Sequence, residues 1–149
     1  GWREISYAHG YDLACRIGQA FLDRKLSAER PIAILSENDV EHAILKLAAL
    51  HVGVPVSTIS SAYSLVSTDH EKLRFILGKL TPGLVFVSNG ARYEKAIRAA
   101  VPSSVEVVVT EAPITGYRRR SSSTCHAVTS SSRKHSSASP RCARSSSAA

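Results

Sequence analysis

The sequence predicts an α/β protein: a partial doubly wound, mostly parallel sheet with helices on both faces, followed by a disordered tail. Three observations carry this. A short continuous apolar run at residues 31–35 reads as a strand buried on both faces, and 54–57, 84–87 and 105–109 read as further strands. The segments between them repeat their apolar residues every three or four positions, the period of a helix packed on one side. Strands separated by helix-length segments imply βαβ crossovers and a parallel sheet. The composition then breaks near Gly116, which divides the chain into a folded part, 1–115, and a tail, 116–149.

Ser6 is placed to cap a first helix whose inner face holds Leu13, Ile17, Ala20 and Phe21. After a surface connection at 26–30, residues 31–35 form the first strand. Glu37-Asn38-Asp39 turns the chain, and Asn38 or Asp39 caps a second helix running from about Val40 to His51. Its inner face is expected at Ala43, Leu47 and Leu50, with Val40 and Ile44 beside them, and Gly53 stops it. Residues 54–57 make a short strand in which Pro55, lacking a donor, suits a start or an edge. A Ser-rich loop spans 58–67. Thr68-Asp69-His70-Glu71 has the form of a capping box opening a third helix with Leu73, Ile76, Leu77 and Leu80, and His70 is expected to be a solvated first-turn residue. Pro82-Gly83 ends that helix, residues 84–87 form a strand, and Asn89-Gly90 turns into a fourth helix with Tyr93, Ala96, Ile97 and Ala100 inward. Pro102 stops it, and 105–109 is the last strand.

The net charge of +7 suggests a polyanion partner until it is located. Arg118, Arg119, Arg120, Arg133, Lys134, Arg141 and Arg144 lie in the tail, which has no acidic residue. That leaves 12 basic and 12 acidic residues before it, with no surplus to steer nucleic acid. The tail has twelve serines, and Tyr117 and Val128 are its only larger apolar residues. Such a segment buries too little to offset its ordering entropy, hence the expectation of disorder. A basic disordered arm could hold phosphates without sequence preference, the alternative reading of the chain, although one tyrosine gives no stacking platform.

No apolar run approaches the roughly 18 residues of a membrane span, and no secretory signal is present, so the expectation is a soluble, cytoplasmic chain. With no methionine, the chain is not expected to be a complete reading frame. The cysteines, Cys15, Cys125 and Cys142, form no C-x-x-C pair, and Cys15 is expected to be a small packing or partly exposed helix residue.

Phosphate cradles need clustered glycines and usually a Lys. The glycines stand at 1, 10, 18, 53, 78, 83, 90 and 116, with no G-x-G and no G-K-[ST]. Ser88-Asn89-Gly90-Ala91-Arg92 is the nearest candidate for an anion site, and a plain turn is the simpler reading. His42 and His51 share a helix but are nine residues apart, too far to share an ion. No serine sits in a nucleophile elbow. The carboxyl ends of the strands, residues 36–39, 57–60 and 88–90, are where an open α/β sheet would take a small ligand.

The wording of the sequence adds a resemblance. Trp2-Arg3-Glu4-Ile5-Ser6-Tyr7-Ala8 resembles the opening "W…(I/L)(S/T)Y" segment of the AMP-forming acyl- and aryl-CoA synthetases. Pro31-Ile32-Ala33-Ile34-Leu35-Ser36-Glu37-Asn38 resembles the strand and turn that follow, and the stretch from His42 to Pro55 the helix-and-strand segment after those. Ser61-Ala62-Tyr63-Ser64-Leu65-Val66-Ser67-Thr68-Asp69-His70-Glu71-Lys72-Leu73 is similar to the feruloyl-CoA synthetase branch in particular, and Leu84-Val85-Phe86-Val87 matches the next strand. The resemblance covers residues 2 to about 114. It implies a partial N-terminal subdomain of an AMP-dependent synthetase/ligase domain over 1–115. For the intact enzyme it implies activation of a carboxylic acid on ATP, with Mg²⁺, to an acyl-adenylate and pyrophosphate, then transfer to CoA.

The family's working parts are a Ser/Thr/Gly-rich phosphate loop ending in Lys, an aromatic-Gly-x-Thr-Glu segment, a ribose-binding Asp and a mobile-domain Lys. None stands in this sequence. No catalytic, cofactor-binding or metal-ligating residue is therefore assigned, and no cofactor is expected for this chain alone. The tail departs from the family after Ala112-Pro113-Ile114-Thr115-Gly116. Its mixture of Arg, Ser, Ala, Pro, Cys and His suits a GC-rich coding sequence read in a shifted frame, the expected origin of 116–149.

Overall fold

The computed structural model describes residues 4–112, 114 and 115. Nine elements follow in order: α1 (Tyr7–Asp23), β1 (Ile32–Ile34), α2 (Val40–Val52), β2 (Val56–Thr58), α3 (Ala62–Leu65), α4 (Glu71–Leu80), β3 (Leu84–Asn89), α5 (Gly90–Ala100) and β4 (Glu106–Glu111). The strands form one sheet in the order β2-β1-β3-β4, and every neighbouring pair is parallel. The expected α/β architecture is present, and the tail at 116–149, with the three expectations placed on it, lies outside the described residues.

Two apolar cores explain why the strand sequences are continuous rather than alternating. Side chains alternate across a strand, so Ile32 and Ile34 of β1, Leu84 and Phe86 of β3, and Val108 of β4 face one side. There they meet Leu13, Ile17 and Phe21 of α1 and Ile44, Leu45, Ala48 and Ala49 of α2. Ala33, Val85, Val87 and Val107 face the other side, against Leu73 and Leu77 of α4 and Tyr93, Ala96 and Ile97 of α5. Both faces of the sheet are thus covered.

The helix starts follow local hydrogen-bonding chemistry. Ser6 caps α1 by accepting the His9 N–H, Asp39 caps α2 from the His42 N–H at 2.7 Å, and Asn89 caps α5 from the Arg92 N–H. Gly53 ends α2 at φ 71, a left-handed conformation open to glycine. Gly18 brings α1 close to α2, since a Cβ there would lie 2.7 Å from Val52 Cγ1. β2, an edge strand of three residues preceded by Pro55, offers little for another chain to pair with. Arg24, after α1, donates Nε to both oxygens of Glu106 at 3.2 Å and so ties the end of α1 to the start of β4.

The structure corrects several local expectations. The buried face of α2 is Ile44, Leu45, Ala48 and Ala49, while Ala43, Leu47 and Leu50 point outward. The helix is apolar nearly all round, so periodicity does not fix its phase; close packing on Gly18 of α1 does. Thr68 does not open a capping box. α4 begins at Glu71 behind His70, which sits at φ 54, because Ser67 Oγ takes the His70 N–H and Asp69 Oδ1 takes the Glu71 N–H. Ser67 Oγ also donates to Asp69 Oδ1 at 2.8 Å, and this bond first, then the Glu71 N–H, holds the Asp69 carboxyl below its ordinary pKa. His70 is buried rather than solvated, with Nδ1 3.3 Å from the Tyr63 carbonyl oxygen. The 58–67 segment contains α3 as well as loop, β2 starts at Val56 rather than Val54, and β4 runs two residues further than expected.

Candidate functional site

The carboxyl ends of β1 and β3 lie side by side in the sheet and lead into the turns before α2 and α5. This is the edge where parallel α/β sheets take ligands. The structure joins the first of the three segments singled out there to the 88–92 anion candidate by a direct contact: Glu37 and Arg92 form an ion pair at 2.7 Å, each about half exposed. The pair holds the Arg92 guanidinium above its ordinary pKa, through the hydrogen bond first and the carboxylate charge second. His42 Nδ1 approaches the Glu37 carbonyl oxygen at 3.1 Å, and Asp39 is engaged in capping α2. The second segment, 57–60, belongs to the edge strand; the Ile59 N–H bonds the Ile34 carbonyl at 2.8 Å and continues the sheet by one residue.

The anion candidate at 88–92 is a turn with its own internal partners. Asn89 accepts the Arg92 N–H that an anion would need, and the Arg92 side chain is taken by Glu37. Gly90 is required for packing: a Cβ there would collide with the carbonyl oxygen of Ala112 as the chain leaves β4. The described residues at this edge therefore do not fit the three phosphates of ATP, which need several convergent N–H donors and an unengaged cation.

The sequence reading missed two hydroxyls near this edge. Ser36 Oγ, just beyond β1, and Tyr93 Oη, in α5, are buried without a hydrogen-bond partner. Burial raises the Tyr93 pKa above its ordinary value, and the negative charge of Glu37 raises it further. Ser64 Oγ in α3 is buried and unpartnered in the same way. Tyr93 was legible as an inward residue, but nothing in a sequence marks a buried hydroxyl as unsatisfied.

A cleft of about 410 Å³ opens elsewhere, lined by Tyr63, Glu71, Lys72, Phe75 and Ile76 of α3 and α4. It contains none of the strand-end residues. Lys72 Nζ lies over the Tyr63 ring at 5.8 Å, so the one cation in the lining is already placed on an aromatic face. His42 and His51 stand near opposite ends of α2. Cys15, partly exposed as expected, has its Sγ 3.8 Å from His51 Nε2. Among the described residues, no group of three or more His, Cys, Asp or Glu is placed to hold a metal, and no helix is long and apolar enough to cross a membrane.

A parallel α/β sheet with helices on both faces and a strand-end edge defines a broad class of nucleotide- and substrate-binding proteins. Within it, a model of the AMP-binding enzyme family matches residues 1–144, and the chain belongs to that family. A luciferin 4-monooxygenase of Luciola mingrelica is 35% identical over 85 residues, which are 57% of this chain and 15% of the relative. The fold is similar to that of ATP-bound MatB from Rhodopseudomonas palustris, with a TM-score of 0.59 and 22% identity over 73% of this chain and 20% of that one. It is also similar to a red-emitting luciferase from Phrixothrix hirtus, with a TM-score of 0.58 and 26% identity over 72% of this chain and 25% of the other. The chain spans between 15% and 25% of the length of these proteins.

Proposed function

We propose that this chain is part of an ATP-dependent, AMP-forming carboxylic acid–CoA ligase of feruloyl-CoA or long-chain acyl-CoA synthetase type, acting in the cytoplasm, and that these 149 residues do not activate an acid by themselves. The family match over residues 1–144 carries the ligase reading. The wording of residues 61–73 supports the feruloyl branch. The inactivity of the isolated chain is supported by the absence of any phosphate loop from its sequence and by the engagement of Arg92 with Glu37 at the strand-end turn. ATP, Mg²⁺, CoA and the acid belong to the intact enzyme under this reading.

ATP–pyrophosphate exchange tests both parts. The purified chain is expected to exchange nothing with ferulate or with a long-chain fatty acid. The intact enzyme recovered from the coding locus is expected to exchange with one of the two. Exchange by the chain alone would remove the inactivity proposal, and an intact enzyme silent on both acids would remove the specificity. We also propose a shifted reading frame for residues 116–149. The family match runs on to residue 144, past the break in composition, so the transcript decides: an in-frame tail removes this idea without touching the ligase reading.

A further inference from the structure

Helices α1 and α2 meet closely at Gly18, where a Cβ would lie 2.7 Å from Val52 Cγ1. That approach sets side by side two residues that stand 36 positions apart in the chain. Cys15, one turn before Gly18 on α1, has its Sγ 3.8 Å from Nε2 of His51, the neighbour of Val52 on α2. With its proton on Nδ1, the imidazole accepts from the thiol through Nε2. Tyr11, one turn before Cys15, packs edge-on against the His51 ring, with 5.7 Å between centroids and 82° between planes, and so orients the base. His51 lies in the last turn of α2, where the carbonyls at a helix end favour a positive charge. A nucleophile within reach of a base, with the base oriented by a third group, is the arrangement that activates a thiol. Cys15 is partly exposed and His51 exposed, so a small reagent reaches the sulfur from solvent.

We propose that Cys15 and His51 form a reactive thiol–imidazole pair in this chain, and that Cys15 is a site of S-thiolation by low-molecular-weight disulfides. The His51 imidazole takes the Sγ proton as the sulfur attacks one sulfur of the disulfide. A new S–S bond forms to Cys15, the S–S bond of the reagent breaks, and the proton held by His51 goes to the departing thiolate. Cys15 is oxidised to a mixed disulfide, and the other half of the reagent is reduced to a free thiol. The proposal rests on the packing of α1 against α2 and not on the ligase reading.

The test incubates the 149-residue chain with glutathione disulfide at neutral pH and follows the mixed disulfide at each cysteine by mass spectrometry of its peptides. Cys15 is expected to react about tenfold faster than N-acetylcysteine under the same conditions, and His51→Gln to remove that advantage. Because His51 is exposed, the variant should keep its Tm within about 2 °C. Unfolding separates activation from access and needs no variant. In concentrated urea a thiol limited by access alone reacts faster, whereas Cys15 should slow to the rate of the reference thiol. Cys125 and Cys142, read from the same digest, register the effect of urea itself. A folded-state Cys15 no faster than N-acetylcysteine overturns the proposal. So does a folded His51→Gln chain that reacts as fast as the unsubstituted one, or a Cys15 rate that rises on unfolding.

Discussion

At the scale of single residues, two kinds of position separate. Tyr93 is a large, fully buried side chain whose hydroxyl makes no hydrogen bond of good geometry, the Glu37 backbone being the one polar group that acts on it weakly. Removing that hydroxyl should help: Tyr93→Phe is expected to raise unfolding stability in urea by about 1 kcal/mol at neutral pH, because an unsatisfied buried group is deleted with little loss of shape. The pH dependence has a definite sign. Burial raises the folded-state pKa above the ordinary 10.0, so the neutral phenol's advantage is present below that value and lost as pH rises through the folded one. The Phe variant does not titrate, so its lead should widen in alkali; a lead that shrinks above pH 10 would show that Tyr93 Oη is hydrogen-bonded. The glycines give an opposed pair. Gly90→Ala drives a Cβ into the Ala112 carbonyl and should cost about 2–3 kcal/mol. Gly78→Ala meets nothing within 4 Å on an exposed stretch of α4 and should add about 0.5–1 kcal/mol. Urea midpoints of the two variants should move in opposite directions.

At the scale of elements, the prediction concerns the phase of α2. Ile44→Ala removes a side chain 4% exposed in the core and should cost about 2–4 kcal/mol. Leu50→Ala, at 64% exposure, should stay within about 0.5 kcal/mol in this chain. Equal losses would mean that the helix is turned differently. The same helix marks what the sequence could and could not reveal. Ser6, Asp39, Gly53 and Asn89 were readable as boundaries because each acts through its own side chain or backbone freedom on groups within a few residues. The inward faces of α1 and α5 were readable because polar residues mark their outer sides. In α2 apolar residues line both sides, so its orientation is set by contacts with α1 that are distant in sequence. At α4 the Thr-x-x-Glu spacing was present, but Asp69 took the Glu71 N–H that Thr68 would have capped, Ser67 took the His70 N–H, and His70 adopted a left-handed backbone. The Glu37–Arg92 pair, 55 residues apart, left no local trace at all.

At the scale of the whole molecule, the four parallel strands were legible from apolar runs alone, but their order was not: β1 sits between β2 and β3, a matter of tertiary pairing. The order places the turns after β1 and β3 together and gives the chain a strand-end edge of the kind that binds ligands in this class of fold. The charged groups and helix caps at that edge are engaged with one another, although the Ser36 hydroxyl is not. Glu37 holds Arg92, Asn89 and Asp39 cap their helices, and Gly90 is filled by the Ala112 carbonyl. Under the proposed function, this part of an AMP-binding enzyme is scaffold and the phosphate cradle is made by other polypeptide. Titrating ATP with Mg²⁺ into the isotope-labelled 149-residue chain, and following the backbone amide resonances of residues 36–39 and 88–92, tests this most directly. No saturable shift is expected at those amides up to millimolar nucleotide; a saturating shift centred on Asn89, Gly90 and Arg92 would place a phosphate site in this chain.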